Sequence, residues 1–412
     1  MNGWMNFCQR IWPAVFLIAA AAGFYISFYP EPTEKEAAQM PGNKNLTVAA
    51  VMQNGKWGII DSNSKWLIQP EYEYYENATP WIKHGLCALS SGQTGKYGLM
   101  NLAEEWIIPP HYPDIYAFRN GFIELHGDNP SIREFYEKDG SKHVFKGVDG
   151  ISGFSEGLFA AELKGHFGFV NASGQFVIDP VYRNAHDFSS GRAAVDTGEE
   201  LDEKGDRIKL FGYIDNSGKM VIPPSFEYAF EFVGNYAVVS VNGHFGLIDK
   251  AGKIHIQPQY EFYDFQTTLM YGFLIASLPA GQLGLMGVNG KWIVEPRFSQ
   301  FGEPGTSDVI AVKDHGLWGF LDFQTGAMLV TPQFEAAGVF NDDMAPVKTN
   351  GKYGYINKKG KWLVPPTFID AAHFSQHLAA VRTRDGYGYI NEAGAWIIRP
   401  QFEKAGNFTL AE

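Results

Sequence analysis

From residue 46 onward, apolar stretches of four or five residues alternate with short polar turns that carry Gly or Asn. Three such stretches make one cycle. The first reads as Leu158-Phe159-Ala160-Ala161 or Leu378-Ala379-Ala380-Val381, the second as Phe211-Gly212-Tyr213-Ile214-Asp215, the third as Lys361-Trp362-Leu363-Val364. Runs this short, rich in aromatic and branched residues and bounded by turn formers, predict strands. Between the first and second, Asn54-Gly55, Asn242-Gly243 and Asn350-Gly351 predict type I′ hairpins, a turn that needs positive φ at both central positions. Each cycle therefore predicts a three-stranded meander. Consecutive apolar residues such as Trp66, Leu67 and Ile68 predict sheets covered on both faces, the cover being the preceding and following cycles.

The cycles keep register. An aromatic residue or Leu stands before Gly at Trp57-Gly58, Tyr97-Gly98, Phe167-Gly168, Phe211-Gly212, Phe245-Gly246, Leu283-Gly284, Trp318-Gly319, Tyr353-Gly354 and Tyr387-Gly388. Pro follows twelve residues after this anchor Gly, as at Pro70, Pro180 and Pro400, and two residues later comes another ring, as at Tyr72, Tyr182 and Phe402. The Pro is expected to end the third strand by withholding a ladder donor. The anchor Gly, beside a large ring in nearly every copy, is expected to leave a notch for a ring of the neighbouring repeat. A tenth, degenerate copy spans about 121–157, with Arg133-Glu134 in place of the aromatic-Gly pair. The period is about 35 residues. One such unit holds too few large side chains to offset the entropy of ordering it, so stability must come from stacking between neighbours.

Segments such as NGKWGIID (54–61), NGKYGYINKKGKWLVPPTF (350–368) and FSEGLFAAE (154–162) resemble the WG, or KWG, repeat of bacterial proteins over about residues 46–412. The resemblance implies a β-rich interaction module without a catalytic motif of its own. The fold expected is all-β: about ten tandem three-stranded meanders, stacked as an open superhelix or a propeller-like array. The insertion at 198–209 and the segment 263–283 are each expected to lengthen a hairpin between first and second strands.

The N-terminus is of another kind. Ile11 to Phe28 is uncharged, follows Arg10 and precedes Glu31, Glu34 and Glu36. Its length suits a transmembrane helix, so residues 1–28 are expected to be a membrane anchor and 29–45 a polar linker, with the array outside the cytoplasm. Cleavage after the small residues Ala19 to Ala22 is the rival reading.

Composition fits many strands and tight turns: 46 Gly, 32 Phe, 20 Tyr and 10 Trp among 412 residues. The net charge of −12 disfavours nucleic acid as a partner. Cys8 and Cys87 fall on opposite sides of the anchor and cannot pair.

No cofactor or metal is expected. His373 and His377 are four apart, yet they lie in a connector and lack an accompanying HExxH motif. His166, His244 and His315 read as hairpin-surface residues. The Asp or Asn ending each second strand (Asp61, Asn171, Asp215, Asp249, Asp322, Asn357, Asn391) reads as a turn residue bonding its own backbone. Arg133 and Glu134 mark the one place where the pattern breaks; drift in a tolerant copy is expected there, with a partner-facing polar patch as the sharper alternative. The function expected is a non-enzymatic, membrane-anchored extracytoplasmic scaffold that binds a protein or a cell-wall polysaccharide. The alternatives are an envelope hydrolase with carboxylates from neighbouring repeats, and a sensor acting through a membrane partner.

Overall fold

The computed structural model describes residues 46–74, 78–92, 95–115, 122–126, 133–137, 139–143, 145, 147–198, 209–278, 281–341 and 343–411. The expected anchor and linker (1–45) and the insertion core (199–208) lie outside them. Among the described residues no helix is long and apolar enough to cross a membrane.

The described strands form ten antiparallel blades. The ninth is typical: Ala336–Ala337, Met344–Thr349, Lys352–Asn357 and Trp362–Phe368 pair in chain order. Blades thus gain a fourth strand beyond the three expected. In most, two residues just after the previous blade's last ring add a short lead strand, while the second and fourth blades open on Ile82–Lys83 and Gly150–Ser155. The sixth and seventh blades share Ile254–Tyr263 and make one seven-stranded sheet. Predicted type I′ geometry holds at the Asn-Gly turns: Asn54 and Gly55 have φ of 53° and 72°, Asn350 and Gly351 of 49° and 72°.

Two expectations about single residues change. The third strand runs through its Pro, as Trp66–Tyr72 includes Pro70. Trp57 pairs with Tyr72 while Ile59 pairs with Ile68, so the third strand carries extra residues and bulges at the Pro, where no ladder donor is required. The anchor Gly makes room for that bulge. A Cβ on Gly58 would lie 2.6 Å from the Ile68 carbonyl oxygen, and one on Gly388 2.5 Å from that of Ile398. The notch is therefore filled by the blade's own third strand, not by a neighbour's ring.

Burial on both faces holds for the first and second strands, as in Thr47–Gln53 and Lys56–Asp61. It fails for the third, which is the edge strand of every blade but the sixth: Val177 is 51% exposed and Ile397 48%. The segment 263–283 also departs from expectation. It holds a short helix, Phe265–Met270, and the first strand of the seventh blade, Phe273–Ser277.

Neighbouring blades meet through rings. The ring ending one third strand packs edge-on against the Trp opening the next, as in Tyr72–Trp106 (5.9 Å), Tyr260–Trp292 (5.8 Å) and Phe334–Trp362 (6.0 Å). A second contact joins the residue after the anchor Gly to a connector Phe, as in Tyr355–Phe374 at 4.8 Å. Tyr355 also donates its hydroxyl to the Ala372 carbonyl at 2.7 Å.

The array closes. Lys404–Ala405 and Thr409–Leu410, at the C-terminal end, pair with Thr47–Gln53 of the first blade. Phe402 packs on Trp66 with the same edge-on geometry, 6.2 Å and 86°. Tyr389 packs on Phe408 and donates to the Gly406 carbonyl, repeating the Tyr355 contact at the seam. The buried residues sort into ten clusters, one for each pair of adjacent blades, the last uniting Tyr389, Ile398, Phe402 and Phe408 with Ala49, Val51 and Ile60. Ten blades with ten interfaces make a ring, whereas an open stack would have nine. Of the two expected arrangements, the closed propeller-like one is found.

Candidate interaction surface

The motif residues are occupied with architecture. Trp57, Tyr97, Phe211 and Phe245 are buried, and Phe167, Trp318, Tyr353 and Tyr387 are half-buried in the seams. Their partners Gly58, Gly98, Gly168, Gly212, Gly246, Gly284, Gly319, Gly354 and Gly388 receive the bulges. Asp249 accepts from the amides of Ala251 (2.9 Å) and Lys253 (3.0 Å), and Asn357 from those of Lys359 and Lys361, both at 3.0 Å. These are the turn-forming bonds expected of the recurrent Asp or Asn. A further recurrent carboxylate escaped the sequence reading. Glu227, Glu335 and Glu403, each just after a blade-ending ring, accept from the turn amides of Gly243, Gly351 and Gly55. Its signal was present in the chain as Phe followed by Glu.

The histidines do not converge. His373 Nε2 lies 2.9 Å from the Asn407 amide, while His377 Nδ1 lies 2.8 Å from Glu392. Among the described residues no group of three or more His, Cys, Asp or Glu is placed to hold a metal. Cys87 is fully buried in a first strand, and burial pushes its thiol up to about 12.

The pattern breaks at two places. The first is the third blade. Glu134 sits at the anchor position, opposite Leu125. Its carboxylate lies 2.6 Å from Lys142 Nζ and accepts from the phenols of Tyr112 (2.7 Å) and Tyr136 (2.9 Å), whose oxygens are 2.5 Å apart. Burial opposes the charge on Glu134, but the bonds from Lys142, Tyr112 and Tyr136 outweigh it and hold the carboxyl below its usual range. The Tyr112 phenol is pushed up, first by burial and then by its bonds to Tyr136 and Glu134. Glu134 thus faces the seam with the second blade. The backbone of Arg133 lies in the second strand, Arg133–Tyr136.

The second break is in the seventh blade, where Leu283 stands before the anchor Gly. A surface cavity of about 330 Å³ opens there, lined by Tyr263, Gly281, Gln282, Leu283, Phe298 and Ser299. Tyr263 donates to Glu261 at 3.2 Å, and Ser299 to the Lys313 carbonyl at 3.1 Å.

Fold and motif together define a closed ring of tandem β-blades, built from one repeat and its variants. The family model of the WG containing repeat matches residues 57–88, 97–124, 167–199, 211–243, 245–266, 284–318, 318–353, 353–386 and 387–409. The chain belongs to that family. The matches pass over the third blade's second and third strands, where Glu134 and Lys142 lie.

A search of curated proteins finds no match. Among solved structures, the chain is similar to a eukaryotic initiation factor at 9% identity and TM-score 0.49, over 88% of this chain and 98% of that one. It is also similar to apo AztD from Citrobacter koseri at 12% identity and TM-score 0.27, over 88% and 97%. A third likeness, to a chain of a nidogen/laminin complex, has 10% identity and TM-score 0.26, over 51% and 92%. Likenesses this distant say nothing about what the ring binds.

Proposed function

We propose that this protein is a non-enzymatic scaffold, held at the outer face of a membrane by its N-terminal segment, whose ring binds a protein or a cell-wall polysaccharide. The closed ring carries this reading. Its motif rings are committed to the seams, and its recurrent carboxylates to turn amides. The repeated groups are thereby used for rigidity, and the surface left over is a long perimeter of third strands and hairpin turns. Such a surface suits recognition by many small contacts rather than chemistry at one point. The apolar run 11–28 after Arg10 supports the membrane placement.

The test is crosslinking and pull-down from intact cells with the full chain as bait, alongside a polysaccharide-binding screen and protease accessibility on whole cells. Specific partners and surface cleavage are expected. Turnover of a substrate by the purified chain, or protection of the array in intact cells, would overturn the reading.

A further inference from the structure

The cavity of the seventh blade has a cause in the repeat itself. In eight blades the residue before the anchor Gly is a ring, lying across from the ring that ends the third strand: Trp57 opposite Tyr72, Tyr353 opposite Phe368, Tyr387 opposite Phe402. In the seventh it is Leu283, opposite Phe298. A leucine is smaller than the ring it replaces, and Gly281 brings no side chain to the mouth. Space that the other blades fill with their own ring is left open to a ring from outside.

The lining says which kind of ring. Its apolar wall is formed by the half-buried Leu283 and Tyr263, backed by the buried Phe298. Its rim is polar and uncharged: the exposed Gln282 amide offers donors and an acceptor, and the Ser299 hydroxyl, donating to Lys313, keeps lone pairs to accept. Among the described residues no cation lines it directly. The Arg297 guanidinium over the Phe298 ring, at 4.8 Å, and Glu261 beside the Tyr263 phenol put one charge of each sign nearby, which favours a neutral guest. An aromatic side chain would cover the wall but leave the rim without partners. A pyranose has both an apolar C–H face and a circle of hydroxyls. The volume lies at the lower end of the range for small-molecule sites.

We propose that this cavity seats one neutral hexopyranose unit of a polysaccharide, the sugar's C–H face on Leu283 and Tyr263 and its hydroxyls on Gln282 and Ser299. The proposal rests on the scaffold reading and names the site within it.

The test uses the full chain in detergent with cellotetraose and tetra-N-acetylchitotetraose as probes, read by calorimetry and by saturation transfer to the sugar ring protons. At least one tetrasaccharide binds the unaltered protein. Leu283→Trp, which restores the family's ring, weakens it at least about tenfold with the melting temperature unchanged or raised. Leu283→Phe and Gln282→Ala give the same direction should the larger ring fail to fold. Binding of neither probe overturns the proposal. Binding that survives Leu283→Trp in the folded variant overturns the site but leaves the scaffold reading standing. A protein partner lost on Leu283→Trp while no glycan binds reassigns the cavity to an aromatic side chain and also overturns the proposal.

Discussion

The tenth and third blades solve one packing problem with different chemistry. In the tenth, Gly388 yields its side-chain space to a bulged strand, and Trp396, eight residues on, receives the ring of Phe368 from the ninth blade at 6.0 Å. In the third, the same two positions hold Glu134 and Lys142, joined at 2.6 Å. The incoming ring, Tyr112, still packs edge-on, now against Tyr136 at 6.2 Å, and turns its hydroxyl to Glu134. An ion pair has replaced glycine and tryptophan together. The seam survives because both positions changed, and because Tyr112 carries the hydroxyl that a carboxylate needs.

The sharpest break in that comparison lies where the tenth blade meets the first. Phe408→Ala empties the connector contact at closure and should cost about 3 to 5 kcal/mol in urea unfolding. The cost should match that of Phe374→Ala, which removes the equivalent contact in mid-array. A much smaller cost for Phe408→Ala would mean that the ring is open in solution.

The next largest effect separates the two anchor positions. Gly388→Ala drives a methyl into the Ile398 carbonyl and should cost about 3 kcal/mol. Glu134→Ala puts the same methyl in the third blade and removes only exchangeable polar bonds, for about 1 kcal/mol. Equal costs would refute the close approach as the reason for glycine.

A double-mutant cycle sharpens the compensation. Glu134→Gly and Lys142→Trp should each destabilise by about 1 kcal/mol, while the double variant recovers part of the loss. Strict additivity would show that the pair does not act as a unit.

The smallest effect is in pH. The Glu134 carboxyl is held below its ordinary 4.5, so its contribution is present above that value and fades as pH falls through the folded one. The stability difference between the unaltered protein and Glu134→Gln should therefore be seen near neutrality and shrink in acid. A difference that grew in acid would reverse the sign of the assigned shift.

Much of this was legible along the chain because its signals are local. Asn54-Gly55 specifies its turn within two residues, and the spacing of Gly388, Pro400 and Phe402 marks a strand pair within fifteen. The Glu134–Lys142 exchange keeps its eight-residue offset, yet only the spatial contact between Gly58 and the Trp66 ring shows why that offset matters. Leu283 was visible as a departure, but the cavity beside it was not, since Tyr263 and Ser299 reach it from elsewhere in the chain. The lead strands were missed because two residues carry no periodic pattern.

What the amino-acid order determined alone is the repeat: its strands, its type I′ turns, its period and the need for neighbours to bury its rings. Tertiary structure decided that ten copies suffice to bring Ala405 back to Val51, that glycine answers to its own blade's third strand rather than to a neighbour's ring, and that a cavity opens beside Leu283. Strand and turn preferences act over a few residues. Closure depends on the small rotation between blades accumulated over the whole array, a sum that no single repeat contains.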